Sequence, residues 1–351
     1  MAEFIGKKLR VEIYGESHAE KVGFRAQGFP EWKIDLAEQE SFVARRKASG
    51  GVFSTPRIEA DEPLFYGLVD GCTTADFGAD IVNANKKSAD YNKLYARPRP
   101  GHADYAWYKK DGALDFSGGG RFSGRLTAPL VVLGGIAKQI LRQKGVRIEA
   151  YVSAIGSVSG RSYKGGTIGI DEVVALRGGA FPSLDKKDEM IAEIAGIMRE
   201  SDSVGGRIEC IVSGLGAGCG NNLFEGLEGK VATLVYAVPG VKGVEFGAGF
   251  DLATMRGSTA NDPLRFVDGD VRFVSNNAGG INGGISNGND ITIGVAMRPT
   301  PSIGRPQDTV DLVSGQNVQI EIKGRHDSCI VPRAVPCIES AVALAILDEI
   351  L

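Results

Sequence analysis

Hydrophobic and polar residues alternate through KLRVEIY (8–14), the period of a strand with one covered face. The same alternation marks VRIEAYVSAIGSV (146–158), RIECIVS (207–213), VKGVEF (241–246), ITIGVAMR (291–298) and VQIEIKG (318–324), and ADIVNANKK (79–87) reads as a further strand. Helical spacing appears elsewhere. Asp35 and Glu38 stand as a capping box before a helix that ends at Arg45-Arg46-Lys47. TAPLVVLGGIAKQILRQK (127–144) is a strongly apolar helix closed by Gly145 in the C′ position. Met190, Ile191, Ile194, Ile197 and Met198 fall on one helical face behind Ser183 as the expected cap. NNLFEGLEGKVATLVYAV (221–238) predicts another helix, and VPRAVPCIESAVALAILDEIL (331–351) a terminal amphipathic one. Strands and helices mix without strict β-α-β alternation, which predicts an α+β fold whose sheets each have one face covered. No low-complexity linker divides the chain, so a single domain spanning 1–351 is expected.

Composition narrows the class. Hydrophobic residues make up 43% and charged residues 24% of 351, ordinary for a globular protein. A net charge of −3 argues against a nucleic-acid binder, which carries a basic stripe. Five cysteines form no C-x-x-C pair, so neither a disulfide framework nor a metal site is expected. No apolar run approaches the roughly 18 residues of a membrane span, and MAEFIGKKLRVEIYG lacks the apolar core of a secretion signal. The expected compartment is the cytoplasm. Glycine is the deviation, at 49 residues. Such an excess marks tight turns and backbone laid directly against a ligand.

The candidate chemistry lies in irregular segments. All three histidines sit in turn-rich settings beside charged residues: Glu16-Ser17-His18, the run from Arg99 through His102 to Asp104, and Arg325-His326-Asp327. Imidazole transfers protons in either direction near neutrality, so the three segments suggest an acid–base site assembled from distant parts of the chain. Arginines crowd the same segments, and their planar forks suit carboxylate and phosphate. Arg121 and Arg125, flanked by glycines, point to a small anionic ligand in an otherwise acidic protein.

Other patterns compete. GESHA resembles a misfit G-x-S-x-G elbow, with Ala19 at the second glycine, but EKVGFRAQGFP does not read as the helix an elbow needs. GLGAGCG follows a strand, yet its spacing misses the dinucleotide fingerprint, and GGGRFSG lacks the Lys-Ser/Thr ending of a phosphate-binding Walker loop.

At GESH, GGGRFSGRLTAPLVVLGGIAKQIL and GRHDSCIVPRAVPCIES the chain resembles the chorismate synthase family. The agreement continues through RPGHADY, DSVGGRIE, VKGVEFGAGF, RGSTANDP, NNAGGINGGISNG and RPTPSI, nearly end to end. The resemblance implies a β-α-β sandwich with mixed or antiparallel sheets around a helical layer, usually as a homotetramer. It implies anti-1,4 elimination of phosphate from 5-enolpyruvylshikimate 3-phosphate, with reduced FMN required although no net redox change occurs. NADPH would enter only as a reductant, and the absence of a convincing nicotinamide motif favours a separate flavin reductase. By resemblance, His18 protonates the leaving phosphate, His102 protonates the reduced flavin, and Asp327 with Ser17 helps deprotonate it. Substrate contacts are carried over to Arg46, Arg99, Arg125 and Arg333. FMN contacts are carried over to Arg121, Phe122, Ser123, Pro239, Gly240, Gly283, Arg298, Pro299, Thr300, Pro301, Ser302 and Arg325. The chain departs from the family at ASGGV (48–52), at Phe122 where a small hydroxyl is usual, at Gln27 where aspartate is common, and at Arg298 where lysine is usual.

Overall fold

The computed structural model describes residues 2–47, 60–83, 94–116, 118–166, 168–178, 181–322 and 327–351. The expected loop at 48–52, the end of the strand read at 79–87, and Arg325 and His326 lie outside them.

The chain folds into strands β1 (Ala2–Ile5), β2 (Arg10–Gly15), β3 (Lys21–Gln27), helix α1 (Leu36–Ala44), β4 (Pro63–Tyr66), β5 (Asp76–Val82), α2 (Asp104–Asp111) and α3 (Thr127–Gln143). There follow β6 (Arg147–Ile155), β7 (Val158–Ser159), α4 (Ile170–Leu176), α5 (Lys187–Arg199), β8 (Gly206–Ser213), α6 (Leu227–Tyr236), β9 (Val241–Phe246) and α7 (Gly257–Ala260). The last elements are β10 (Leu264–Val267), β11 (Asp270–Phe273), β12 (Ile281–Asn282), β13 (Ile285–Ser286), β14 (Ile291–Met297), β15 (Gln307–Asp311), β16 (Gln316–Ile320) and α8 (Val331–Ile350).

Two five-stranded sheets, ordered β1-β2-β3-β5-β4 and β7-β6-β8-β14-β9, enclose a helical layer. Their neighbouring strands pair antiparallel throughout. Helix α3 packs on β3 and β5, α8 packs on β6 and β8, and the two helices pack on each other. This is the α+β sandwich that the resemblance implied. Its core joins Phe24, Phe77 and Ile81 of the first sheet to Ile136, Leu344 and Ile293 across the helices.

Glycines set the helix spacing. A Cβ on Gly134 of α3 would fall 2.1 Å from the Cβ of Ser340 on α8, and one on Gly135 would fall 2.5 Å from Gln39 Oε1 on α1. The adjacent glycine pair thus admits two neighbours at once, which explains glycine inside a helix despite its entropic cost of about 1 kcal/mol. Asp35 caps α1 as its spacing predicts, accepting the Glu38 N–H.

Three expectations need correction. Ser183 does not cap α5: its hydroxyl donates to the Asp185 carbonyl, and the helix starts at Lys187 behind Lys186 at φ +46. The helix read over 221–238 begins only at Leu227, because Leu223 turns at φ +51 and Gly226 is extended. Helix α8 is buried on nearly every face rather than amphipathic, since α3, α6 and the second sheet surround it.

Candidate active site

Strand β2 ends at Gly15, whose φ of +93° and the 2.4 Å separation of a would-be Cβ from the Lys21 carbonyl leave room only for glycine. Residues 16–20 form the hairpin loop between β2 and β3, which pair antiparallel up to Gly15 and Val22. A strand, not a helix, follows GESH, so the nucleophile-elbow geometry is absent. The loop is tied inward. The Ser17 N–H donates to the Gly120 carbonyl at 3.2 Å, and Asn83 Nδ2 donates to the carbonyls of Glu16 and Ala19 at 3.1 and 2.9 Å. The His18 ring lies on Gly118, where a Cβ would fall 2.0 Å from Nε2.

His102 stands just ahead of α2, and its Nδ1 is in hydrogen-bond contact with Asp104 Oδ1. Asp104 also accepts from the Arg99 guanidinium, Nε to Oδ2 at 2.7 Å and Nη2 to Oδ1 at 2.8 Å. Arg99 Nη2 reaches further, to the Gly118 carbonyl at 2.6 Å. The segment is braced from behind by β15 and β16. Leu94 and Phe116 pack with Ile320 and Ile322, Arg97 pairs with Asp311 at 3.0 Å, and Thr309 donates to the Pro98 carbonyl at 2.5 Å.

Arg298, after β14, donates to the Gly101 carbonyl at 2.6 Å, and its own N–H donates to the Gly240 carbonyl at 2.9 Å. Two residues on, Thr300 Oγ1 donates to the Asp327 carbonyl at 2.9 Å. Arg333, in the first turn of α8, donates from Nη1 to Asp327 Oδ2 at 2.7 Å and from Nε to the Arg46 carbonyl at 3.1 Å. Arg46 and Arg125 then share one buried carboxylate. Asp61 Oδ2 accepts from Arg46 Nη1 at 2.5 Å, and Oδ1 accepts from Arg125 Nη1. Arg125 Nε donates to Asn83 Oδ1 at 2.7 Å, which returns the path to the GESH loop.

These contacts, with chain neighbours bridging Gly101 to His102 and Arg298 to Thr300, close a ring: His18, Gly118, Arg99, His102, Gly101, Arg298, Thr300, Asp327, Arg333, Arg46, Asp61, Arg125, Asn83 and back to residues 16–20. The expected acid–base and anion-binding residues His18, Ser17, His102, Asp327, Arg46, Arg99, Arg125 and Arg333 therefore belong to one constellation. Its electrostatics follow from burial and pairing. Burial disfavours the Asp61 charge, but Arg46 and Arg125 outweigh that and hold its carboxyl below the usual range. Burial likewise opposes ionisation of Asp104, yet hydrogen bonds from Arg99 and His102 hold its pKa at about 2.

Arg121 and Phe122 stand at the rim. The Arg121 guanidinium lies over Trp107 at 4.4 Å, and Trp107 meets Phe122 edge-on at 5.4 Å. Ser123 Oγ accepts the Arg125 N–H at 3.2 Å and so caps the turn entering α3. Pro239, Gly240 and residues 298–302 form the opposite side through the Arg298–Gly240 bond. Gly283 falls elsewhere. It sits exposed in the β12–β13 turn, next to Gly284, which packs on Gly226 ahead of α6. Lys230 of α6 pairs with Glu349, at the far end of α8 from Arg333.

The residues fit a flavin. Ser17 Oγ is buried at 5% exposure with no hydrogen-bond partner among the described residues, a polar atom left for a ligand. Gly120 has nothing within 4 Å of a would-be Cβ, which leaves open space there, and the Arg121–Trp107–Phe122 stack borders it. Among the described residues no group of three or more His, Cys, Asp or Glu could hold a metal ion.

Sequence reasoning missed Asp61, Asn83 and Trp107, and it named Asp104 beside His102 without giving it a role. Asp104 had a signal, two residues after His102 in the same unusual segment. Asp61 had none, because its partners lie 15 and 64 positions away.

Comparison with known proteins agrees. A family model described as chorismate synthase matches residues 9–351. A chorismate synthase of Dehalococcoides mccartyi is 39% identical over 99% of this chain and 96% of its own length. That of Archaeoglobus fulgidus is 42% identical over 98% and 95%, and that of Korarchaeum cryptofilum 40% over 99% and 97%. A solved structure titled "Crystal Structure of Chorismate Synthase" superposes with a TM-score of 0.75 over 99% of this chain and 93% of that one, at 23% identity. That likeness shows a shared fold.

Proposed function

The chain belongs to the chorismate synthase family, and from that premise we propose how the residues of its ring divide the work. The reaction is a lyase step of the shikimate pathway of aromatic amino-acid biosynthesis, conversion of 5-enolpyruvylshikimate 3-phosphate to chorismate. A carbon–oxygen bond to phosphate breaks, a ring hydrogen leaves from the opposite face, and a second ring double bond forms, with no net redox change. The whole chain, 1–351, acts as one catalytic domain.

Departing phosphate gathers negative charge and needs fixed cations and a proton. Arg46 and Arg125 share a single carboxylate, so their cluster keeps a net positive charge, and Arg333 stands beside them. These arginines attract the substrate's phosphate and carboxylates. His18 delivers a proton to the leaving phosphate from its place over Gly118. Ser17 and Asp327 serve proton removal, Asp327 held for that by Arg333. His102 holds a proton toward the cofactor while Asp104 fixes its other nitrogen.

Reduced FMN, when bound, would supply transient electron density to the elimination with no net redox change. Arg121, Phe122, Ser123, Pro239, Gly240 and the run Arg298, Pro299, Thr300, Pro301 and Ser302 would hold it, with Arg298 set by Gly101 and Gly240. Arg325 is assigned to the same group by resemblance. Gly283 would take part only from a second copy. NADPH serves only as reductant, through a separate flavin reductase.

The active form is a homotetramer in the cytoplasm. Phe224, Phe250 and Phe266 are 99%, 79% and 81% exposed, and the isolated β10–β11 hairpin carries Leu264, Phe266 and Val271 outward, surfaces that a second copy would cover. No described helix is long and apolar enough to cross a membrane.

The closed ring of contacts joining His18, His102 and Asp327 carries this reading. Anaerobic mixing with reduced FMN and 5-enolpyruvylshikimate 3-phosphate tests it. Release of phosphate with equal chorismate is expected. Binding of flavin without phosphate release would leave a flavin-binding module instead.

A further inference from the structure

Two histidines of the ring come from separate segments, one from the hairpin loop at 16–20 and one from the turn before α2. A single carboxylate braces both. Asp104 opens α2 at 5% exposure and uses both oxygens. Oδ2 accepts the Arg99 backbone N–H at 3.0 Å and Nε at 2.7 Å. Oδ1 accepts Arg99 Nη2 at 2.8 Å together with the His102 ring.

The proton on His102 follows from these partners. A buried ionised carboxylate only accepts and so asks for hydrogen on Nδ1. Arg99 Nη2, 3.1 Å from His102 Nδ1, only donates, but its two hydrogens already go to Asp104 Oδ1 at 2.8 Å and the Gly118 carbonyl at 2.6 Å and leave Nδ1 to the carboxylate. An unprotonated Nδ1 would set its lone pair against the Asp104 oxygen at hydrogen-bond contact. Nδ1 therefore carries hydrogen, and Nε2 is the nitrogen left for chemistry.

Arg99 extends the brace. Its Nη2 also donates to the Gly118 carbonyl at 2.6 Å, and Gly118, at φ +61°, is the surface on which the His18 ring rests. The side chain expected to meet substrate is thus committed at Nε and Nη2 to holding other groups.

We propose that Asp104 is a positioning residue for both histidines, fixing the His102 tautomer directly and the His18 platform through Arg99 and Gly118. The inference rests on the catalytic reading of these histidines for its consequence and on geometry alone for its structure. Uniform 15N-histidine labelling tests it well, because the chain has only three histidines. In the substrate-free and flavin-free wild type, neutral His102 is expected to show hydrogen on Nδ1. Asp104→Asn is expected to abolish that preference, shift the His18 ring signals, and lower kcat by roughly 10²–10⁴, the contribution of a positioned acid or base. Asp104→Glu, which keeps the charge, should recover part of kcat.

A wild-type spectrum with hydrogen on Nε2 of neutral His102 overturns the proposal and needs no variant. So does an Asp104→Asn protein with unchanged tautomer and kcat within twofold of wild type. If the tautomer is as expected while the wild type releases no phosphate, the catalytic reading falls and the positioning geometry stands.

Discussion

Asp61→Asn removes one negative charge from between two guanidiniums while leaving side-chain volume almost unchanged. The Asp61 side chain is 0% exposed, and those of Arg46 and Arg125 are 6% exposed each. Neither arginine can recover water at its shared face. Breaking a buried pair by neutralising one partner costs about 3–5 kcal/mol, because the remaining charge is left uncompensated. At about 2.1 cal/mol/K per residue, the 351 residues give a melting entropy near 0.7 kcal/mol/K. The midpoint should therefore fall by about 4–7 °C, read by circular dichroism. The pH dependence adds a sign. The folded-state pKa of Asp61 is depressed, so its stabilisation is present above the unfolded value and lost as pH falls through the folded one. The gap between wild type and variant should stay flat from about pH 7 to about pH 5 and shrink in more acid solution. Adding Arg125→Met to Asp61→Asn should cost less than the two separate losses combined, since the attraction is already gone. A midpoint within 1 °C (about one-quarter of the smallest shift above) of wild type, or a gap that does not narrow in acid, would refute the buried-pair reasoning.

Three further outcomes are expected. His18→Ala and His102→Ala should each lower kcat by roughly 10²–10⁴ in an anaerobic phosphate-release assay, and near-normal turnover in either removes that assignment. Glu339→Gln should destabilise by about 3 kcal/mol or more, seen as a lower melting midpoint, because the buried Glu339 pairs with Arg45, Lys138 and Arg177 and accepts the Ala150 N–H. Gly134→Ala should cost about 1–3 kcal/mol by overpacking α3 against α8, with part returned by Ser340→Gly, and an unchanged midpoint would show that the helices separate freely.

What the sequence made legible depended on how local each cause was. The Asp35 cap, the apolar run of α3 and its stop at Gly145 are set within a few positions, and the structure has them as read. Helix α2, which begins at the end of RPGHADY, went unread because its residues are mostly exposed and form no apolar stripe, and the segment is held instead by Arg99 and by β15 and β16. Helix α8 looked amphipathic because Arg333, Glu339 and Asp348 interrupt its apolar residues. Burial overrode that pattern by giving Glu339 and Asp348 buried partners, Asp348 through the backbone N–H groups of Lys7, Lys8 and Leu9. The histidine segments announced a site, but which carboxylate meets which arginine depends on contacts across the fold. No spacing rule reaches from Arg125 to Asp61.

The two buried ion clusters meet at one peptide bond. Arg45, which caps the C-terminus of α1, turns toward Glu339 in the middle of α8, and Arg46 turns the other way toward Asp61 and Thr127. The end of α1 is therefore held from both sides, and the Arg46 carbonyl that receives Arg333 is fixed with it. Arg333 and Glu339 lie six positions apart on the same helix, under two turns. A shift of α8 along its axis would disturb both clusters together. The close α3–α8 contact at Gly134 and Ser340 opposes that shift. Helix packing in this protein thus sets the separation of the arginines proposed to bind the substrate's anions, and on that proposal a core substitution far from the ring should change substrate affinity as well as stability.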